Sequence, residues 1–413
     1  MRFTFSDYEE VFTPGAPVLI ENFFFGREKE TKELKRNVRR KGFHPFIIGN
    51  RGVGKTSLVH LALANSKNRV IKITCNSRMT YLGFAKSLLK ELGVAVNEVE
   101  RTTEGTKKIS GSIKPFKTGI SAEGNKKHIS KKTGFDILAT DPWSIFQVIH
   151  NLGEKIIFVI DEYDRITPQK KKFHTSIADL IKTLADNSTV CGSRIIVVGV
   201  GYTASDLIGV HESIERSAPE IYLKPLHVKD ITDFLTEAEK KLKFRFEPEV
   251  KRYLAEGSNG YPYFVHLVGL ESVDAMVDRE AKSRVVTIRD YLAGLREAVR
   301  KAFQSELRKY RAAVSGMSTT EIIIVKQLCQ YPLNARIFRR KFRKSMKLQR
   351  VMTENVFDSA WIKLKQERRL VYTDPQNEII RFSDPLMAPF LKGWFFRQDI
   401  LKNPLSEQLS LFE

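Results

Sequence analysis

The sequence predicts an α/β fold: a doubly wound parallel sheet with a phosphate-binding loop, then a helical lid, then a winged helix-turn-helix. Three observations predict it. Short continuous apolar runs ("HPFIIGN", "RVIKITC", "KIIFVID", "SRIIVVGVG", "EIYLKPL") alternate with amphipathic helical patterns, as strands covered on both faces must. The glycine-rich "GNRGVGKT", residues 49–56, stands between the first run and the helical "KTSLVHLALANS". From about residue 228 the strand pattern gives way to helices, and from about 316 to helices followed by a hairpin.

Composition narrows the function classes. The 413 residues leave room for two or three domains, and 42% hydrophobic with 28% charged residues is a globular composition rather than a disordered one. No apolar stretch approaches the roughly 20 residues of a membrane span, so no membrane contact is expected. The start, "MRFTFSDYEE", has acids where a signal peptide would be apolar. The scattered Cys75, Cys191 and Cys329 suggest reduced thiols, and a cytoplasmic location is expected. Charge is the outlier. A net +21 makes a polyanion the expected partner, because each neutralised phosphate releases counterions; the bland alternative is a solubilising surface, which mixes signs.

Residues 1–25 read as an extended arm, broken by Pro14, Gly15 and Pro17. An α/β domain is expected over 26–227, opening on the helical "REKETKELKRNVRRKG". Strand "RVIKITC" and helix "YLGFAKSLLKELG" follow its phosphate loop. A basic insertion at 97–135, with Lys107, Lys108, Lys114, Lys117, Lys126, Lys127, Lys131 and Lys132, reads as a mobile hairpin that either grips a partner or is a disordered loop. Asp141 before Pro142 marks a helix start. A helical lid is expected over 228–312, a winged helix over 313–396, where Ser318 and Glu321 form a capping box, and a flexible tail over 397–413. No internal repeat is found.

The chemistry lies in two motifs. "GNRGVGKT" fits G-x-x-x-x-G-K-[ST], with a strand before and a helix after it. Gly49, Asn50, Arg51, Gly52, Val53, Gly54, Lys55, Thr56 and Ser57 would wrap the phosphates of ATP with backbone N–H groups. Lys55 would supply the point charge, and the Thr56 hydroxyl would ligate Mg²⁺. "IIFVIDEYD" supplies the acid that a hydrolytic site needs on a neighbouring strand. Asp161, at the strand's C-terminal end, would hold the metal's outer shell, and Glu162 would activate water. Asp164 and Arg165 read as solvated or structural.

The text around these motifs resembles the AAA+ superfamily over about residues 12–395. "FFFGREKE" is similar to the family's adenine-pocket segment, which implies roles for Phe25, Gly26 and Arg27. "VVGVGYTASDL" resembles its polar sensor, with Tyr202 or Thr203 as candidates. "HESIERS" places Arg216 where the family carries an arginine finger acting on a neighbour's nucleotide, implying a homo-oligomer on ATP binding; a surface ion pair with Glu212 or Glu215 is the alternative. "GYPYFVHLVG" departs from the family: it has Gly260, Pro262 and His266 where a sensing arginine belongs. That Gly-x-Pro resembles signal-transduction ATPases and archaeal-type ATPases, and His266 reads as a satisfied lid histidine. The resemblance is closest to the initiator-like branch, proteins similar to archaeal and eukaryotic origin-recognition ATPases, which pair an ATPase and lid with a winged helix.

In the C-terminal module Arg336, Arg339, Arg340, Lys341, Arg343 and Lys344 crowd one helix, and Lys363, Lys365, Arg368 and Arg369 the next. They are candidates for double-stranded DNA contact, although winged helices also serve protein contacts. "QLSLF" in the tail, with Gln408, Leu409, Leu411 and Phe412, resembles the pentapeptide that binds the bacterial DNA polymerase sliding clamp; a latch onto the chain itself is the alternative. Together these predict an ATP hydrolase acting as a DNA-binding switch tied to replicating DNA. The competing expectation is a signal-transduction-type ATPase scaffold in an antiviral system, binding a protein effector.

Overall fold

The sheet begins where the sequence predicts it. Helix α1 (Glu28–Arg39) leads into β1 (Phe46–Gly49), α2 (Lys55–Leu63), β2 (Arg69–Thr74) and α3 (Tyr81–Glu91). Strands β3 (Val94–Arg101), β4 (Lys107–Ile113) and β5 (Gly134–Leu138) follow, then α4 (Pro142–Asn151), β6 (Ile156–Asp161) and α5 (Lys171–Asp186). The segment closes with β7 (Arg194–Gly199), α6 (Ala204–Ile208) and β8 (Glu220–Leu223). The computed structural model describes residues 8–101, 107–113, 134–138, 141–201, 203–208, 214–279, 284–302, 314–331, 337–348, 351–368, 370–373, 378–382, 387 and 391. The chain divides into two units, one of Glu28–Gly49 with Lys55–Leu223, the other of Met1–Arg27, Asn50–Gly54 and Lys224–Glu413.

In the first unit the strands pair in parallel in the order β2–β6–β7–β1–β8. Every residue of β6 and β7 is buried, which is why both read as unbroken apolar runs. The edge strand β2 alternates, with Ile71 and Ile73 turned into the core. The phosphate-loop strand β1 and the acid-bearing β6 are not neighbours, as the sequence reading had them, because β7 lies between them. Asp141 caps α4, accepting from the backbone N–H of Trp143 and Ser144 at 3.2 and 3.1 Å. His44 is fully buried, and its Nδ1 accepts from the Ile195 N–H at 3.0 Å. Burial, with the Arg194 charge beside it, lowers its pKa to about 3.

The basic insertion carries three paired strands rather than the two of a hairpin. β3, β4 and β5 form an antiparallel meander that starts at Val94 and ends at Leu138. Of its lysines, Lys107 and Lys108 lie on β4, and Lys114, Lys117, Lys126, Lys127, Lys131 and Lys132 fall outside the described residues.

The second unit carries α7 (Val228–Leu242), β9 (Arg245–Phe246), α8 (Pro248–Gly257), α9 (Pro262–Asp278), β10 (Val285–Val286) and α10 (Ile288–Ala302). The parallel pair β9–β10 was not legible as strand, being two residues long on each side. Residues 8–25 pack into this helical core rather than standing away as an arm. Tyr8, Val11, Phe12 and Phe23 are buried in it, Phe12 meets Phe234 edge-on at 5.6 Å, and Tyr8 donates to Asp274 Oδ1 at 2.6 Å. Large apolar side chains near a chain end need such a cover.

Beyond it lie α11 (Thr319–Leu328), β11 (Ile337–Phe338), α12 (Arg339–Leu348) and α13 (Glu354–Ile362), which a π turn extends over Lys363–Glu367. β12 (Val371–Thr373) and β13 (Ile379–Phe382) complete an antiparallel sheet in the order β11–β13–β12. Phe342, Phe357 and Trp361 are buried here, in ring contact at 5.9 and 5.6 Å. The predicted capping box forms: Ser318 Oγ accepts from Glu321 N, and the Ser318 N–H donates back to Glu321 Oε2.

Candidate functional site

The loop from Gly49 to Thr56 bends as a phosphate cradle must. Gly52 and Gly54 take φ of +78° and +94°, a region that L side chains rarely enter. At its base the Lys55 ammonium donates to the Gly49 carbonyl at 2.9 Å, and Ser57 is buried at the start of α2. The apex, Asn50–Gly54, belongs to the second unit, where three groups hold it. Asn50 Nδ2 donates to the buried Tyr261 hydroxyl at 2.9 Å, and the Tyr263 N–H donates to the Gly52 carbonyl at 3.4 Å. Arg27 is buried, and its guanidinium donates to the carbonyls of Val53 at 3.1 Å and Lys224 at 2.6 Å. Arg27 thus braces the loop's backbone. Val53 is buried, Arg51 exposed.

At the end of β6 the Asp161 carboxylate is buried. Its Oδ1 accepts from the Glu162 N–H at 2.9 Å, and its Oδ2 accepts from the Thr56 hydroxyl at 3.1 Å and the Lys72 ammonium at 2.8 Å. A hydroxyl and a carboxylate this close are the hard oxygen donors suited to Mg²⁺ carried by a nucleotide. Glu162 adopts a left-handed conformation, φ +54° and ψ +38°, and its half-exposed carboxylate pairs with Arg165 at 2.9 Å. Asp164 Oδ1 accepts from the Val200 N–H at 2.9 Å. Asp164 and Arg165 therefore take structural partners, as the sequence reading has them.

The remaining predicted residues are placed as follows. Phe25 packs edge-on against Phe234 at 6.5 Å, and Gly26 leaves room for Asp230, whose carboxyl carbon a Cβ there would meet at 2.5 Å. Thr203 is exposed, just before α6; Tyr202 lies outside the described residues. Arg216 is exposed ahead of β8 and pairs with none of the described residues; Glu212 lies outside them. His266 is the satisfied lid histidine expected: its Nδ1 accepts from the Thr13 N–H at 3.1 Å, and burial pushes its pKa down to about 4.

In the C-terminal module the cations divide. Arg339 and Arg343 pair with Asp358 at 2.7 and 2.8 Å, and Arg368 is built into the packing. Its Nε donates to buried Glu321 at 2.6 Å, and its other nitrogens donate to the Ser315 and Gly316 carbonyls at 2.8 and 2.7 Å. That network is structural, which removes Arg368 from the free basic surface. Arg340, Lys341, Lys344, Lys363 and Lys365 are exposed, Lys341 lying 5.6 Å from the Phe338 ring centre. Arg336, Arg369 and the tail residues Gln408, Leu409, Leu411 and Phe412 lie outside the described residues.

Among the described residues no cluster of His, Cys, Asp and Glu is suited to a separate metal ion, and Cys75, Cys191 and Cys329 are buried free thiols. No helix among them is long and apolar enough to cross a membrane.

A parallel sheet with the glycine-rich loop after β1, Asp161 ending β6 and Glu162 just after it defines an α/β P-loop NTPase fold. The chain belongs to the Novel STAND NTPase 1 family, which it matches over residues 20–380. Among solved structures it is similar to the Walker-type ATPase PABY2304 of Pyrococcus abyssi, at 16% identity and a TM-score of 0.53, over 92% of this chain and 99% of that one. It is also similar to the Aeropyrum pernix ORC2 protein, at 13% identity and a TM-score of 0.51, over 96% and 99% of the two chains. No curated protein matches the sequence. Sequence reasoning missed Lys72, Tyr261 and Tyr263 as neighbours of the site. The signal for Lys72 was a lysine between two core isoleucines of the strand "RVIKITC".

Proposed function

We propose that the chain is an ATP hydrolase that works as a nucleotide-gated, DNA-binding switch. The observation that carries the hydrolase reading is the Thr56 hydroxyl 3.1 Å from the buried Asp161 carboxylate, with Lys55 beside it in sequence. The backbone of Gly49–Ser57 binds the phosphates, and Lys55 turns from the Gly49 carbonyl to the terminal ones. Bound Mg²⁺ would neutralise the charge that builds on the phosphates. Glu162 leaves Arg165 to orient the attacking water and accept its proton, and Arg216 of one copy reaches a neighbour's nucleotide in an ATP-dependent homo-oligomer.

The partner is read from charge. We take residues 313–396 as a winged helix, supported by the order of helices and short antiparallel strands after Ser318. Arg340, Lys341, Lys344, Lys363 and Lys365, with the net charge of +21, favour duplex DNA. "QLSLF" would link the molecule to the sliding clamp; deleting residues 408–413 is expected to abolish clamp pull-down while leaving nucleotide binding intact.

A second reading is favoured by the family itself. A STAND-type NTPase suits a signalling scaffold that binds a protein effector, and the ion pairs of Arg339, Arg343 and Arg368 reduce the basic surface left for DNA. One experiment separates the two. Nucleotide affinity and phosphate release are measured with and without duplex DNA for the parent, Lys55→Ala and Glu162→Gln. Loss of binding in Lys55→Ala is expected, with binding retained in Glu162→Gln and its turnover at least about 100-fold lower. Equal nucleotide binding by Lys55→Ala and the parent overturns the hydrolase reading. Turnover and assembly indifferent to duplex at low salt leave the effector reading standing.

A further inference from the structure

We propose that Lys72 sets the Mg²⁺ requirement of the site, its ammonium standing in for the metal's charge at Asp161 when no metal is bound. This rests on the nucleotide-binding reading above. Parallel registration explains the contact. Thr74 pairs with Asp161 and Lys72 with Val159, so Lys72 and Asp161 lie on the same face, one side-chain repeat apart, across the β2–β6 ladder. The flexible lysine stem spans that repeat, and its Nζ sits 2.8 Å from Oδ2. The Asp161 side chain is 6% exposed and that of Lys72 47%. The ammonium therefore reaches from water to a buried carboxylate.

The bland alternative is an edge-strand lysine placed to discourage aggregation. Such a lysine points into solvent; this one is aimed at the buried acid that closes the phosphate site. Without a metal, the Lys72 ammonium answers a buried negative charge that is costly to leave unpaired. Thr56 occupies the same Oδ2 at 3.1 Å, so the carboxylate face that would meet the metal's water shell already holds a hydroxyl and a cation. An arriving divalent cation meets a like charge there. Either the ammonium withdraws toward water or both cations share the carboxylate, and each outcome weakens metal-dependent nucleotide binding. Lys72 is a positioning residue in this scheme: it touches Asp161, and the phosphates are left to Lys55.

The test is a Mg²⁺ titration of ATP binding, followed by the anisotropy of a fluorescent ATP analogue, for the parent, Lys72→Met and Lys72→Arg. Lys72→Met is expected to reach half-maximal binding at about five-fold less Mg²⁺, and Lys72→Arg, which keeps the charge, to follow the parent. In EDTA, Lys72→Met is expected to melt below the parent and to recover that difference when Mg²⁺ and nucleotide are added together. Should Met fail to fold, Lys72→Gln carries the same comparison. A Lys72→Met titration that superimposes on the parent, or needs more Mg²⁺, overturns the proposal while the nucleotide reading stands. A parent that binds no nucleotide at any Mg²⁺ concentration removes both.

Discussion

Arg27 shows how a single side chain can hold a phosphate loop by its backbone. Its guanidinium fixes two carbonyls, at Val53 and at Lys224, so the loop apex and the chain entering α7 are held to one rigid group. Arg27→Ala would leave the buried Val53 carbonyl and the Lys224 carbonyl without this donor and is expected to cost about 2–3 kcal/mol in denaturant unfolding, with weaker ATP binding. Arg27→Lys should restore little of either, because one ammonium cannot hold the planar fork. A variant as stable and as tight-binding as the parent would refute the brace. The sequence marked Arg27 through its neighbours Phe25 and Gly26, and marked Lys55, Thr56, Asp161 and Glu162 through local spacing. Lys72 and Tyr261 stayed hidden because their roles come from register and from contacts with residues far away in the chain.

At the scale of the element, the start of α11 and the end of the π turn after α13 are joined by one buried acid. Burial raises the pKa of the Glu321 carboxyl, but the Arg368 hydrogen bond and those from the Ser318 backbone and hydroxyl hold it below its ordinary value. The paired acid therefore contributes stability above the ordinary carboxylate range and loses it as the pH falls through the depressed folded value. Arg368→Ala strands that charge and is expected to destabilise the module by about 3 kcal/mol, read by denaturant unfolding. In Glu321→Gln, adding Arg368→Ala should cost much less, because no buried charge remains; an equal cost in both backgrounds would refute the coupling. The capping half of this network was legible, since Ser318 and Glu321 are three residues apart. Its arginine half was not: 47 residues separate Arg368 from Glu321, and among so many cations nothing local distinguishes the structural one. The β3–β5 meander was illegible for a related reason. Its middle strand, "KKISGSI", is rich in Lys, Ser and Gly, and none of the three carries a long apolar run.

For the whole molecule the open question is what a net charge of +21 is for. Pairing within the C-terminal module narrows the candidates. α12 presents Arg340, Lys341 and Lys344 as exposed cations, while Arg339 and Arg343 of the same helix answer Asp358. If the helix lies along duplex DNA, the exposed three neutralise phosphates and the paired two do not. Counterion release then makes the logarithm of affinity fall linearly with the logarithm of salt, by about 0.9 per phosphate contacted. Replacing Arg340, Lys341 and Lys344 together by glutamine is expected to flatten that slope by about 2.7 and to weaken binding to all sequences alike. Replacing Arg339 and Arg343 should instead lower the module's stability and leave the slope nearly unchanged. The measurement is a salt titration of duplex affinity by fluorescence anisotropy for the two variants and the parent, in the presence of ATP. Equal slopes in the parent and the exposed-cation variant would move the DNA contact off α12, and no duplex affinity even at the lowest salt would leave the charge to an acidic protein effector.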